Sequence, residues 1–190
     1  MKKFASLAAA GLMLAMAGSA FAQDAKDLLK LQTSQGPVTI ELYDNVAPKN
    51  VARVKELAEE GAYNGVAFHR VIDGFMAQTG DVEYGNMDKG FDDTRVGMGG
   101  SKQPDLPAEF SDIHYERGIV GMARAQDPDS ANSQFFIMFA DAPFLDNQYT
   151  VIGKVIDGMD NVDKIKKGSQ ADNGKVEDPD RIVTATVESN

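Results

Sequence analysis

The sequence predicts a mainly β fold: a barrel or sandwich of seven or eight short antiparallel strands, capped by two α-helices. Three observations carry this. Apolar and polar residues alternate with a period of two in several short runs, as half-buried strands require. Turn residues separate those runs, most clearly Gln35-Gly36-Pro37 and Asp73-Gly74. Helical spacing occurs in only two places, and the order strands, helix, many strands, helix, strand does not fit a βαβ parallel sheet.

The elements follow in order. Leu29 to Leu31 and Val38 to Leu42 alternate about Gln35-Gly36-Pro37 and read as a hairpin. Asp44-Asn45-Val46-Ala47-Pro48 opens a helix, because Pro in the first turn lacks only an N–H that would have no intrahelical partner. Val51, Val54, Leu57 and Ala58 fall on one face of it, and Gly61 supplies the C-cap. Val66 to Ile72 and Phe75 to Thr79 are strands about Asp73-Gly74. Residues 81–118 hold many Gly, Pro and Asp and little periodicity, so they read as loop. Ile119 to Ala123, Gln134 to Phe139 and Thr150 to Val155 are apolar and β-branched or aromatic enough to be strands. A second helix spans Met159 to Lys167, with Val162 and Ile165 on one side and Gly168 past its end. Arg181 to Val187 alternates and is the last strand.

The first 22 of the 190 residues have the form of a secretory leader: Lys2-Lys3, an apolar run from Ala5 to Ala17, then Ala20-Phe21-Ala22 before Gln23. The run is too short to cross a bilayer, which takes about 20 apolar residues. Residues 23–190 are then one working domain, expected to be soluble, monomeric and exported to the periplasm of a Gram-negative cell. Losing Lys2 and Lys3 with the leader moves the formal net charge from −10 to −12. Without a basic cluster, such a chain is unsuited to nucleic acid or to stable association with an anionic membrane. With no Cys there are no disulfides, thiol nucleophiles or thiolate metal sites. His69 and His114 are the only imidazoles and lie far apart in sequence, so a metal site is not expected.

Three segments are dense in candidate site residues. In Phe68 to Asp81, Arg70, Phe75, Met76 and Gln78 fall within nine positions, and strand alternation puts Met76 and Gln78 on one face and Ala77 on the other. Arg70 on the neighbouring strand would add a fixed cation beside apolar side chains. In Gly121 to Ala125 and Ser133 to Met138, alternation pairs Gln134 with Phe136 and Phe135 with Ile137, so one pair can line a groove while the other fills the core. Ala142-Pro143-Phe144-Leu145-Asp146 places an apolar tip inside a loop, either a pocket wall or a lid over the core.

These segments resemble the cyclophilins, a family of peptidyl-prolyl cis–trans isomerases (rotamases). Phe68-His69-Arg70-Val71-Ile72 with Gly74-Phe75-Met76, Gln78 and Gly80-Asp81 nearly completes the family's F-H-R-V-I-x-G-F-M-x-Q-x-G-D. Ser133 to Ile137 and Phe144 to Met159 carry the later motifs in order, and Ala123-Arg124-Ala125 with Asp127 to Ala131 looks like the bacterial branch. The resemblance covers about Leu31 to Val187 and implies an eight-stranded antiparallel barrel, two capping helices and a groove on its outer wall. It implies that Arg70 is catalytic and that Phe75, Met76, Phe136 and Leu145 form a pocket for a proline ring. Gln78, Gln134 and the backbone of Ala123, Arg124 and Ala125 would hold the substrate chain. Phe144 stands where many eukaryotic members carry Trp; it can still wall the site but lacks the indole N–H that contributes to binding cyclosporin. Tyr149 stands where a His is frequent and keeps an aromatic contact. Asp73 replaces a frequent Pro in the turn. The implied partners are proline-containing unfolded or partly folded polypeptides.

Two alternatives stand against this reading, a weak one and a serious rival of a different class. A hydrolase built from Ser133, His69 and an acid would lack the Gly-x-Ser-x-Gly elbow. A peptide-binding chaperone with little turnover would use the same groove, and the presence of Arg70 favours an enzyme over it.

Overall fold

The first hairpin forms where the alternation places it. In the computed structural model, which describes residues 26–189, β1 (Leu28–Thr33) and β2 (Gly36–Leu42) pair antiparallel, with Leu29 opposite Ile40 and Leu31 opposite Val38. All four side chains are buried, as is Leu42. Gly36 turns the corner at φ 127°, a region L side chains avoid. The expected leader, residues 1–22, lies outside the described residues.

The other elements are α1 (Pro48–Glu59), β3 (Arg70–Ile72), β4 (Met76–Thr79), β5 (Ile119–Met122), β6 (Phe135–Met138), β7 (Val151–Asp157), α2 (Met159–Lys164) and β8 (Ile182–Glu188). The eight strands form one sheet in the order β3-β4-β6-β5-β7-β2-β1-β8, and each neighbouring pair is antiparallel. The segments leading into the two edge strands, β3 and β8, meet across a seam. Gly65 donates to the Ile182 carbonyl at 2.7 Å, Ile182 to Val66 at 2.8 Å, Phe68 to Asp180 at 2.8 Å and Val71 to Gly174 at 2.8 Å. The sheet thus curls round on itself, without a regular ladder at the join.

That seam explains why the expected strand Val66 to Ile72 shortens to Arg70–Ile72. Its partner chain holds Asn173, Gly174 and Asp178 at positive φ, and such a chain cannot run as a strand. Only isolated bridges remain there, Ala67 with Arg181 and Arg70 with Lys175.

Helix α1 ends as its glycine requires. The Gly61 N–H bonds the Ala58 carbonyl at 3.0 Å and the Ala62 N–H bonds Leu57 at 2.8 Å, with Gly61 at φ 68°. This pair of bonds closes a Schellman turn. Helix α2 is shorter than its apolar spacing suggests: Ile165 is already extended, at φ −55° and ψ 131°, although buried like Val162. The cause is tertiary, since the Lys166 N–H is taken by the Asp180 carboxylate at 2.8 Å.

Strands β4 to β7 bury both faces. Ala77, Phe135, Ile137, Val120, Met122 and Ile152 fill the interior together with Leu29, Ile40 and Phe68. Met76, Phe136, Met138, Ile119 and Val151 face outward into a second cluster, completed by Tyr115 and Leu145. Burying both faces is what makes these strands read as continuous apolar runs.

The loop 81–118 carries no strand and is held by side chains instead. Glu109 accepts the α1 backbone N–H groups of Lys49 at 3.1 Å and Asn50 at 3.0 Å, and the Asn50 side-chain amide at 2.8 Å. Helix α1 has no side-chain cap of its own, so a distant carboxylate caps it and favours its dipole. Glu109→Ala should lower stability by ~1–2 kcal/mol in chemical denaturation. An unchanged midpoint would remove this cap from the account.

Candidate active site

Strand register builds the groove as a row. Arg70 on β3 lies opposite Gln78 on β4, Gln78 opposite Phe136 on β6, and Phe136 opposite Gly121 on β5. Gly121 has to be small: a Cβ there would come within 2.7 Å of the Phe136 ring and would also meet the Tyr115 hydroxyl. The Phe136 ring therefore lies across β5, stacked on Tyr115 at 5.8 Å and met edge-on by Tyr149 at 5.7 Å.

The far wall comes from a short 3-10 turn, Pro143–Leu145. The Ala142 N–H bonds the Tyr115 carbonyl at 2.7 Å, which ties the turn to the outer cluster. Leu145 is buried, whereas Phe144 is 69% exposed and leans on Phe75 with ring centres 5.7 Å apart. Between these walls lies a cavity of about 470 Å³. Arg70, Phe75, Met76, Gln78, Ala123, Arg124, Phe136, Phe144, Leu145 and Tyr149 all line it. Ala125 and Gln134 line an adjoining pocket of about 380 Å³, which shares Gln78, Ala123 and Arg124 with the first. The residues singled out in the sequence thus come together in two joined depressions.

Arg70 is fixed by neutral groups. Its Nε donates to the Asn173 carbonyl and its Nη2 to Asn173 Oδ1, both at 3.0 Å. Its Nη1 donates to Gln78 Oε1 at 3.2 Å and lies 4.0 Å from the Met76 sulfur. Partial burial lowers its pKa from the ordinary value, though a guanidinium stays charged in proteins. Of its five N–H donors, one on Nη2 has no acceptor among the described residues. Gln78 Nε2 donates in turn to Gln134 Oε1 at 3.0 Å, and Gln134 Nε2 to the Gly99 carbonyl at 2.8 Å.

Arg124 is used differently. Its guanidinium lies over the Tyr149 ring at 4.6 Å and donates to the carbonyls of Gln148, Ala125 and Gln126. The Ala123 N–H is spent on the Gln134 carbonyl at 2.9 Å, and the Ala125 N–H on Ser130 Oγ at 2.9 Å. Of the three N–H groups in Ala123 to Ala125, only that of Arg124 carries no hydrogen bond among the described residues. This narrows the expected backbone donor to one residue.

Sequence reasoning missed Asn173, Gln148 and the Gly97–Gly99 segment. Asn173-Gly174 is a recognisable turn signal, but nothing local says that the turn packs against Arg70. Gln148 simply adjoins Tyr149 on the cavity wall.

An eight-stranded antiparallel sheet closed on itself, with an arginine beside an apolar pocket on its outer face, defines the class that the sequence motifs resemble. The chain belongs to the cyclophilin family of peptidyl-prolyl cis–trans isomerases: the family model "Cyclophilin type peptidyl-prolyl cis-trans isomerase/CLD" matches residues 28–187. A probable peptidyl-prolyl cis-trans isomerase of Brucella suis is 61% identical over 97% of this chain and 94% of its own length. A peptidyl-prolyl cis-trans isomerase-like 3 of Mus musculus is 39% identical over 72% of this chain and 80% of its own. Among solved structures, a cyclophilin-type isomerase of Cryptosporidium parvum, determined in the presence of the dipeptide Ala-Pro, superposes with a TM-score of 0.72 at 28% identity. It covers 86% of this chain and 99% of that one. A cyclophilin from Hirschia baltica gives 0.69 at 26% identity, over 84% of this chain and 73% of that one. The protein is a peptidyl-prolyl cis–trans isomerase.

His69, next to Arg70, faces away from the groove. It is buried, and burial pushes its pKa down to about 4 against weaker opposing pulls from Asp81 and the Ala67 backbone. It is therefore neutral at neutral pH. The unfolded chain takes up a proton near the reference value of about 6.5 that the folded chain refuses until about pH 4, so this residue costs nothing above the upper value and destabilises as pH falls through that window. Between about pH 7 and about pH 4.5 the protein should lose on the order of 2 kcal/mol more stability than a His69→Leu variant, read from denaturant midpoints. Equal losses would contradict a buried neutral imidazole.

Proposed function

We propose that this isomerase accelerates rotation about X-Pro bonds in exported polypeptides as they fold, and that Arg70 drives the reaction by hydrogen bonding to the prolyl nitrogen. One observation carries the reading: a charged guanidinium, held by neutral acceptors and with a donor to spare, sits beside Phe75, Met76, Phe136 and Leu145 in a cavity of about 470 Å³.

Amide resonance sets a torsional barrier of ~18–20 kcal/mol. At a twist near 90° that resonance is lost, and the prolyl nitrogen becomes pyramidal with a lone pair able to accept a hydrogen bond. In the planar ground state the same nitrogen accepts poorly. A donor fixed beside it therefore binds the twisted amide better than either planar isomer, which is what acceleration requires. Phe75, Met76, Phe136 and Leu145 would hold the ring. Gln78 and the Arg124 peptide would hold the chain on one side, so that only the X-Pro torsion is free to turn. No covalent bond is made or broken, so the step needs neither nucleophile nor cofactor. A groove that reads one ring and some backbone suits broad clients.

Work on exported chains is supported by the basic, apolar and Ala-x-Ala pattern of residues 1–22, and a periplasmic location agrees with it. A folding catalyst without cysteine would also be free of thiol traps where disulfides form.

Arg70→Ala should lower kcat/KM by ~10²–10³ in a proline-isomerisation assay while the fold survives. The wild-type rate should stay flat around neutral pH, because no titrating side chain takes part. Near wild-type turnover in the folded variant would leave a peptide-binding role for the groove without this mechanism.

A further inference from the structure

The hydrogen bonds that hold Arg70 continue to a carboxylate buried behind the groove wall. Asp81 is fully buried at the end of β4. Its Oδ1 accepts the N–H groups of Glu83 at 3.1 Å and Tyr84 at 2.9 Å, and its Oδ2 those of Gly97 at 2.7 Å and Gly99 at 3.0 Å. Four main-chain donors compensate a charge that would otherwise be costly to bury. The result is a fixed position for residues 97–99. The glycines allow it: Gly97 sits at φ 94°, and a Cβ on Gly99 would meet the Asp81 carboxylate and come within 2.8 Å of Tyr84.

The Gly99 carbonyl then sets the polarity of two side-chain amides. A primary amide has an accepting end and a donating end of nearly equal shape, and only its partners decide which way it points. Gln134 turns its NH₂ to the Gly99 carbonyl, so its oxygen faces Gln78. Gln78 must then turn its own NH₂ to Gln134, which leaves its oxygen facing Arg70. Were the Gly99 carbonyl to shift, Gln134 could flip and set its NH₂ against that of Gln78, and Gln78 would then lose either its bond to Gln134 or its bond to Arg70. We propose that Asp81 is a positioning residue for Arg70: it fixes the Gly97–Gly99 segment, and that segment orients the guanidinium through Gln134 and Gln78. The inference rests on the catalytic reading of Arg70, and the test separates the two.

Asp81→Asn keeps the size but replaces one acceptor oxygen with an NH₂ that opposes main-chain N–H groups. In the folded variant kcat should fall about tenfold while KM for a proline peptide changes less, because the ring pocket of Phe75, Met76, Phe136 and Leu145 is untouched. The same change made in Arg70→Ala should cost nothing more, since there is no guanidinium left to orient. Equal fractional losses in both backgrounds, or unchanged kcat in folded Asp81→Asn, would overturn the proposal. If Arg70→Ala itself left activity unchanged, the catalytic reading would fail first, and this proposal with it. Should Asp81→Asn not fold, Gly97→Ala shifts the same segment without changing the buried carboxylate, because a side chain strains its φ of 94°. A kcat loss seen with Arg70 present and absent from the Arg70→Ala background would support the proposal, and equal losses or none would overturn it.

Discussion

The site depends on an arginine held in place without being neutralised. Had Arg70 been gripped by a carboxylate, its charge would be largely spent before any substrate arrived, and its best donors with it. Its bonds go instead to a carbonyl, two amide oxygens and a thioether, all uncharged. Partial burial among Phe75, Met76 and Phe136 keeps the local dielectric low, where a charge-assisted hydrogen bond is worth most. The fold supplies these acceptors from opposite sides: β4 brings Gln78 by register, and the seam near β8 brings Asn173 round to the other flank.

A single set of strands builds both the core and the groove. Because β4 and β6 are apolar on both faces, Ala77, Phe135 and Ile137 anchor the interior while Met76, Phe136 and Met138 anchor a second cluster outside it. Each large side chain buried there stabilises by roughly 1.5–3 kcal/mol, so the pocket wall is also structural. That holds the floor of the groove still. Phe144 is the exception, 69% exposed on the short turn that faces the groove. An apolar ring left in water gains by covering a substrate, so the one loose wall is the one a peptide would close.

Much of this was legible in the sequence, for a local reason. Alternation in Val38 to Leu42 and in Phe75 to Gln78 reports which side chains share a face, and the family motifs place Arg70, Phe136 and Leu145 together. What escaped was set by distant groups. Asp180 stops α2 before Lys167 by taking the Lys166 N–H, and Asn173 meets Arg70 only because the seam closes. Residues 81–118 read as featureless loop, yet Asp81 binds the Gly97 and Gly99 N–H groups within them and Glu109 ties them to α1. The backbone of Ala123 to Ala125 looked equally available along its length until pairing with Gln134 and Ser130 left Arg124 alone. Periodicity carries no record of such bonds.

The central claim is that geometry, and not charge alone, makes Arg70 effective. Arg70→Lys tests it most directly, because it keeps a cation of similar reach but loses the planar fork that bonds Asn173 on one side and Gln78 on the other. The account predicts a folded protein that binds proline peptides with nearly unchanged affinity and isomerises them almost as slowly as a variant with no cation there. Turnover close to that of the wild type would show that a positive charge near the groove is enough, and would contradict it.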